Sequence, residues 1–281
     1  MTWQTLFLTK ARAVCDHSRS VRLEKGGRLL YGWGMEKVRI DKLLVDLGLT
    51  VSRERARALI MAGKVLVDDT PVTKAGTAVP AQAAVRLRGE DCPYVSRGGL
   101  KLAGSLDDLG ISVKGLTVLD VGASTGGFTD VCLKHGATRV FAVDVGTNQL
   151  VYSLRTDPRV LCLEQTHARD LVPDMLPGPA DLAVIDVSFI SILKVLGPAA
   201  ACLIDTGRVL AMVKPQFEAG REHVGKGGVV RDPAAREAAI QSVIDGAAAM
   251  GLRFLGRADA RIQGPKGNQE TFVYLTKEVS P

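Results

Sequence analysis

Residues 120–127 read Asp-Val-Gly-Ala-Ser-Thr-Gly-Gly and close the apolar run at 116–121. A short apolar run that ends in a glycine-rich turn is typical of a β-strand that passes directly into a helix, which here extends to about His135. Such a turn lets a ligand approach the backbone closely, at the positive end of the helix. The stretch therefore predicts the first strand, the first helix and the ligand site of an open α/β sheet.

Downstream of this turn, apolar strands alternate with helical segments. The further strand candidates are residues 140–144, 182–186, 208–213, 252–256 and 271–275. Asp232 and Pro233 supply an N-cap and a first-turn proline for a helix that runs to Met250. This alternation predicts the α/β fold class, with a doubly wound, mostly parallel, Rossmann-like sheet.

Two positions near the turn distinguish between adenosyl cofactors. In the dinucleotide fingerprint a middle glycine admits the pyrophosphate, but that position is Ser124. Asp144 ends the next strand, 22 residues after Gly122, where a carboxylate can accept hydrogen bonds from ribose hydroxyls. An adenosyl ligand without a diphosphate fits both facts, which favours S-adenosylmethionine over NAD. The predicted cofactor-binding residues are Gly122, Ser124, Gly126, Gly127, Phe128, Asp144, Asp170 and Asp186.

The segment at 35–90 has the pattern of a small two-helix module that precedes the sheet. Apolar residues at helical spacing predict one short helix from Ile40, and Ser52 can cap a second helix. Strand-like residues follow at 64–67 and 85–88. The sequence therefore predicts a separate α+β domain at the N-terminal side of the α/β domain.

Positive charge is concentrated in the first third of the chain. Residues 1–97 hold 17 Lys and Arg against 10 Asp and Glu, whereas residues 98–281 hold 19 against 20. Such asymmetry is expected of a part that binds a polyanion, although a solvated basic face explains it equally well. Within the module, Arg53 and Arg57 stand four residues apart and therefore share one face of the second helix.

The module resembles the S4 RNA-binding domain, through residues 39–44, 52–56 and 62–67. In that family the paired helices present basic residues to structured RNA, which implies RNA contacts for three residues here. These are Arg53, Arg57 and Lys64. Such side chains suit phosphates and sugar edges, so they supply affinity and placement more than base readout.

Composition argues against several classes of protein. The five cysteines and four histidines are scattered without metal-ligand spacing, so neither a disulfide framework nor a metal site is expected. No apolar run approaches the roughly 20 residues that cross a bilayer. The sequence predicts a cytoplasmic protein with no membrane partner and leaves its oligomeric state open. Residues 1–34 show no sustained period, which predicts a disordered or spurious extension before Met35, with a basic RNA-touching tail or a transit sequence as alternatives.

Four polar residues stand where this architecture would bring them together. They are Lys101, Asp186, Lys214 and Glu270. Methylating a ribose hydroxyl requires an acceptor held in line with the sulfonium methyl group, and loss of the hydroxyl proton as the oxygen attacks. We expect Lys214 to activate the hydroxyl and Asp186 to orient that lysine, with Lys101 and Glu270 positioning the hydroxyl and the second lysine. From spacing alone, Lys101 and Glu270 are equally well read as surface ions.

Residues 36–277 resemble the TlyA family of S4-containing ribosomal RNA 2′-O-methyltransferases, relatives of FtsJ that were once labelled hemolysins. The motifs that carry the resemblance lie, in order, at 95–102, 120–129, 186–190, 214–218 and 267–270. It implies a Lys-Asp-Lys-Glu tetrad on the four residues above, a cytidine in 16S or 23S ribosomal RNA as acceptor, and ribosomal RNA or a ribosomal subunit as partner. The implied layout is an extension at 1–34, an S4 domain at 35–90, a linker at 91–97 and an FtsJ-like methyltransferase domain at 98–281. The leader and His167, where Asn was expected, depart from the family pattern.

Other functions make different demands on the sequence. Methylation of an exocyclic amine favours Asn or Asp followed by two prolines and an aromatic residue at the strand end, and residues 186–189 lack both prolines. Methylation of cytosine C5 needs a cysteine nucleophile, and no cysteine ends a predicted strand facing the cleft. A non-catalytic RNA-binding or ribosome-assembly factor would be expected to have a broken tetrad. A membrane-active hemolysin would be expected to have a spanning segment or a strongly amphipathic basic helix.

Overall fold

The computed structural model describes residues 37–88 and 92–278, together with the backbone of two short strands, β1 (Val21–Leu23) and β2 (Leu29–Tyr31). These two strands pair antiparallel. The rest of the leader, for which disorder was predicted, lies outside the described residues. The chain divides into two compact units, Met1–Asp91 and Cys92–Pro281.

The first unit contains the predicted two helices and a set of short strands. Its elements are β3 (Lys37–Arg39), α1 (Ile40–Asp46), α2 (Arg53–Met61), β4 (Val65–Val67), β5 (Thr70–Val72), β6 (Ala78–Pro80) and β7 (Val85–Leu87). Helix α2 begins where predicted because the Ser52 hydroxyl accepts a hydrogen bond from the amide of Arg55 at 3.1 Å. Ile40, Leu44 and Ile60 are fully buried between the helices and the strands, so this unit has a core of its own.

The second unit is an α/β domain around one seven-stranded sheet. Its elements are α3 (Arg97–Asp108), β8 (Thr117–Val121), α4 (Gly127–Lys134), β9 (Arg139–Val143), α5 (Tyr152–Arg155), β10 (Val160–Leu163), β11 (Ala180–Ile185), α6 (Leu193–Ala201), β12 (Leu203–Val213), α7 (Pro215–Glu218), α8 (Pro233–Ala248), β13 (Leu252–Asp259) and β14 (Thr271–Lys277). The strand order is β10-β9-β8-β11-β12-β14-β13. The first five strands are parallel and β14 is antiparallel to both of its neighbours. The predicted fold class is confirmed, although the sequence had assigned no residues to β10.

The direction in which the chain winds changes between β8 and β11, and this change positions the site. From β8 the chain moves outward through β9 to β10, and then returns to place β11 on the other side of β8. The carboxyl ends of β8 and β11 therefore lie side by side, with Val121 paired to Ile185. Ligands of open α/β sheets bind at such a switch point. The residues that follow these two strands, Gly122 and Asp186, are thereby brought into contact.

Candidate active site

The glycine-rich turn after β8 has the close approach that its sequence predicts. Gly122 adopts a φ of +87°, and a Cβ built on it would lie 2.3 Å from the carbonyl oxygen of Asp186. No side chain fits at that distance, so the two strand ends can meet only through glycine. Gly126, with a φ of +97°, is the N-cap of α4. The turn therefore leads from a buried strand directly into a helix whose N-terminus faces the strand ends.

Two adjoining cavities open at this edge of the sheet, with volumes of about 550 and 570 Å³. Their shared lining residues are Gly122, Ser124, Asp186, Ser188 and Phe189. The first cavity is lined by all four residues of the predicted tetrad. The second is lined by Asp144 and His167. The arrangement offers one space beside the lysines and another beside the acid at the end of β9.

The tetrad consists of two ion pairs. Lys101 Nζ lies 2.5 Å from Glu270 Oε2, and these side chains are only 10% and 2% exposed. Lys214 Nζ lies 2.5 Å from Asp186 Oδ1, with side-chain exposures of 11% and 23%. Lys101 and Glu270 are therefore buried partners, and the reading of them as surface ions is wrong.

A further group on Lys214 is Ser188, which sequence reasoning missed. The lysine ammonium donates a hydrogen bond to Ser188 Oγ at 2.8 Å. The same ammonium lies 2.5 Å from Asp186 Oδ1 and forms an ion pair with that carboxylate. Lys214 is thus held by one carboxylate and one hydroxyl from the same loop, two residues apart.

An exposed aromatic ring stands beside these groups. Phe189 is 91% exposed and has a φ of +64°, a strained conformation for a bulky side chain. Its ring centroid lies 5.3 Å from that of Phe217, at an interplanar angle of 50°. Phe217 lines only the first cavity, whereas Phe189 lines both. The loop after β11 therefore presents an aromatic face to ligands in either cavity.

Glu218 fixes the far end of that loop. Its carboxylate accepts hydrogen bonds from Ser191 Oγ and from the amide of Ile192, both at 2.8 Å. Burial raises the pKa of Glu218, although these two hydrogen bonds oppose the shift. The short segment after Lys214 is in this way tied to the loop that carries Ser188 and Phe189.

The predicted cofactor residues are distributed unevenly over the two cavities. Both oxygens of Asp144 accept backbone hydrogen bonds at 2.7 Å, one from Ser124 and one from Gly146. The predicted residues that line the first cavity are Gly122, Ser124, Gly127, Phe128 and Asp186. Gly126 and Asp170 line neither cavity. Among the described residues, no cluster of three His, Cys, Asp or Glu side chains is placed to hold a metal ion.

Asp120 is a buried acid beneath the turn that sequence reasoning did not select. Its Oδ2 accepts a hydrogen bond from Thr129 Oγ1 at 2.6 Å, whereas its Oδ1 has no partner among the described residues. Burial raises the pKa of Asp120 to about 7, and the nearby carboxylates of Asp186 and Asp144 add to the shift. The side chain is fully buried, so it takes up its negative charge only near neutral pH.

The raised pKa of Asp120 predicts that the stability of the protein depends on pH. Between pH 4 and 7 the folded protein holds a proton on Asp120 that the unfolded chain has released, so the free energy of unfolding is highest below pH 4 and falls as pH rises to 7. A difference of one bound proton between the folded and unfolded states changes the free energy of unfolding by about 1.4 kcal/mol per pH unit. Relative to Asp120→Asn, the urea-unfolding stability of the wild type should fall by this slope between pH 5 and 7 and should level off between pH 7 and 8. Parallel curves would contradict the assignment.

In the first unit, two of the three predicted RNA-contacting residues share a partner. Arg53 and Arg57 both donate to the carboxylate of Asp41, at 2.9 and 3.3 Å. The predicted common face of α2 is therefore present. Lys64 makes no ion pair in the part of the chain that the structure describes, and its side chain is half-buried.

Comparison with known proteins shows what the two units resemble. The FtsJ-like methyltransferase family matches residues 94–277, and the S4 domain family matches residues 38–85. The 16S/23S rRNA (cytidine-2′-O)-methyltransferase TlyA of Mycobacterium tuberculosis is 45% identical over 85% of this chain and 90% of its own length. Hemolysin A of Brachyspira hyodysenteriae is 40% identical over 85% of this chain and 99% of its own. A solved structure described as a hemolysin from Streptococcus thermophilus superposes with a TM-score of 0.68 at 44% identity, covering 88% of this chain and 91% of that one.

Proposed function

This chain belongs to the FtsJ-like methyltransferase family, and from that premise we propose that it transfers the methyl group of S-adenosylmethionine to the ribose 2′-hydroxyl of a cytidine in ribosomal RNA. The observation that carries the proposal is the presence of two lysine–carboxylate pairs in one cavity beside the turn after β8. The mycobacterial relative, which is named for this reaction, supplies the identity of the nucleotide and of the RNA. The S4 domain supports an RNA substrate.

The second cavity has the chemical groups that S-adenosylmethionine requires. The carboxylates of Asp144 and Asp186 line it and suit ribose hydroxyls and an ammonium group, whereas the N-terminus of α4, at Gly127, lines the adjoining first cavity and suits a carboxylate. Bound there, the cofactor would supply a methyl group on a positively charged sulfur. Asp186 and Ser188 line both cavities, so donor and acceptor would meet at these residues.

Lys214 activates the acceptor in this proposal. Its Nζ is the general base that takes the proton of the 2′-hydroxyl as the oxygen attacks the methyl group. Asp186 and Ser188 hold Nζ in place, which fixes the direction from which it meets the hydroxyl. The buried Lys101–Glu270 pair lines the same cavity and positions the hydroxyl.

The exposed ring of Phe189 predicts a contact with the acceptor base. Phe189→Ala should lower kcat/KM for RNA by about 10- to 100-fold, because stacking of a base on an aromatic ring is worth about 1–3 kcal/mol. Phe189→Tyr should retain most of the activity, since it keeps the aromatic face. The measurement is initial-rate methyl transfer to ribosomal RNA, with cofactor affinity measured separately by calorimetry.

A matched control is Phe254→Ala, which removes an exposed ring from strand β13 that lines neither cavity. It should leave methyl transfer unchanged. If Phe189→Ala and Phe254→Ala gave the same rate, or if only cofactor affinity changed at Phe189, the ring would have no part in binding the acceptor.

The proposal as a whole is tested by nucleoside analysis. Purified protein is incubated with labelled S-adenosylmethionine and either naked ribosomal RNA or isolated subunits, and the RNA is digested to nucleosides. We expect label in 2′-O-methylcytidine. Label on a base would show that the acceptor atom is wrong, and absence of label from every substrate would favour the non-catalytic RNA-binding factor.

One relative gives a reason to test a second activity. A relative that is 40% identical to this chain is named Hemolysin A, a name that refers to lysis of red blood cells. In the described part of the chain, no helix has the length and apolar character needed to cross a bilayer. Leakage of dye from liposomes on adding RNA-free protein would favour membrane activity, and intact liposomes would count against it.

A further inference from the structure

A single buried carboxylate lies beneath three arginines in the first unit. Asp41, in the first turn of α1, is fully buried. Arg39 donates to both of its oxygens, from Nε at 3.0 Å and from Nη2 at 3.1 Å. Arg53 Nη2 and Arg57 Nε donate to Oδ2 at 2.9 and 3.3 Å. The end of β3 and two successive turns of α2 are joined at this one side chain.

The arginines themselves face solvent. Their side chains are 53%, 51% and 52% exposed, whereas that of Asp41 is not exposed at all. Hydrogen bonds from Arg39, and then from Arg53 and Arg57, hold the pKa of Asp41 well below its usual range against the opposing effect of burial. The carboxylate therefore carries its negative charge at neutral pH.

The charges of these four side chains do not balance. Three guanidinium groups carry three positive charges against one negative charge, which leaves an excess of two. Each guanidinium has five N–H groups, and Asp41 engages four of the fifteen. The remaining N–H groups suit phosphate oxygens, which guanidinium groups bind in planar pairs.

We propose that Asp41 is a positioning residue for RNA binding, which fixes Arg39, Arg53 and Arg57 as one preorganised phosphate-binding cluster. This inference rests on the proposed function and deepens it, because it names the residue that sets the spacing of the RNA contacts. It also adds Arg39 to the contacting residues. The partner is structured RNA, whose phosphates stand at fixed distances.

The fixed positions of the three arginine side chains contribute more to binding of folded RNA than the net charge of the cluster does. A free arginine loses conformational entropy when it binds, and an arginine already held in place loses less. The negative charge of Asp41 has the opposite effect, because it weakens the attraction to any polyanion. Removing that charge should therefore strengthen binding to flexible RNA while weakening binding to a folded RNA.

The test compares two variants that lose the same charge. Asp41→Asn removes the central carboxylate, and Asp46→Asn removes an exposed carboxylate at the other end of α1. Binding of the full chain to ribosomal RNA and to polyuridine is measured by fluorescence anisotropy. Asp41→Asn should weaken binding to ribosomal RNA by roughly tenfold, as expected when one or two side chains must be newly ordered. Its binding to polyuridine should be unchanged or tighter. Asp46→Asn should keep the preference of the wild type for ribosomal RNA over polyuridine.

A second variant covers the case in which Asp41→Asn fails to fold, as judged by thermal unfolding and cofactor binding. Arg39→Lys conserves the charge and loses the bidentate contact with Asp41. It should therefore also lose the preference for ribosomal RNA over polyuridine. If the variants that fold retain the wild-type preference for ribosomal RNA, the positioning role is overturned. If wild-type protein itself shows no such preference and no methyl transfer, the proposed function fails instead.

Discussion

Lys214→Ala is expected to reduce methyl transfer by about 10²- to 10⁴-fold, which is the usual contribution of a positioned general base. The expectation follows from the geometry at Nζ, which is held by Asp186 and Ser188 at the wall shared by the two cavities. Single-turnover rates with saturating cofactor measure the chemical step. Cofactor affinity should change little, since Lys214 lines only the first cavity.

Lys266→Ala is the matched control for this variant. It also removes a lysine from the first cavity, but this lysine lies in the loop before Glu270 and belongs to neither ion pair. It should affect RNA affinity without a large effect on the single-turnover rate. Full activity in Lys214→Ala would make the proposed role of this lysine wrong, whatever the control shows.

Glu270→Ala should destabilise the protein by about 3–5 kcal/mol, because it leaves the ammonium of Lys101 buried without a partner. Replacing both residues, Lys101→Met with Glu270→Leu, should restore most of the stability, since a buried ion pair is often no better than an apolar pair of similar volume. The free energy of unfolding in urea is the measurement. Both variants should nevertheless be deficient in methyl transfer, because the pair lines the acceptor cavity.

An exposed ion pair of the same length provides the comparison. Arg257 lies 2.5 Å from Glu237, but their side chains are 42% and 53% exposed. Glu237→Ala should cost at most about 1 kcal/mol, as is usual for surface pairs. If Glu270→Ala cost no more than Glu237→Ala, the Lys101–Glu270 pair would not be the buried element described above. If the double variant were fully active, the pair would have only a structural role.

The parts of the site that follow directly from strands could be predicted from the sequence. Asp186 and Lys214 come immediately after apolar runs, and parallel strands bring such residues to one edge of the sheet. The same reasoning placed Asp144 at the end of β9. It could not show that Lys101 pairs with Glu270, because 169 residues separate them and only the finished fold brings α3 to the start of β14.

Other features depend on local conformation that composition does not reveal. No residues were assigned to strand β10, because it is only four residues long and lies at the edge of the sheet, where it pairs with β9 alone. Ser188 reaches Lys214 through a loop in which Phe189 has a positive φ, which no pattern of residue types indicates. In the sequence, Asp41 has the position of an ordinary acidic residue in the first turn of a helix. Only the folded structure brings the three arginines to its carboxylate.

The proposed reaction has a ribose hydroxyl of ribosomal RNA as its acceptor and requires Lys214. It is tested most directly by mapping ribose methylation in ribosomal RNA from cells that carry the wild-type gene, the Lys214→Ala gene, or no copy. We predict 2′-O-methylation at one or more cytidines with the wild-type gene, and loss of the same sites in both other strains. Identical maps in all three strains, or a difference confined to base methylation, would contradict the account.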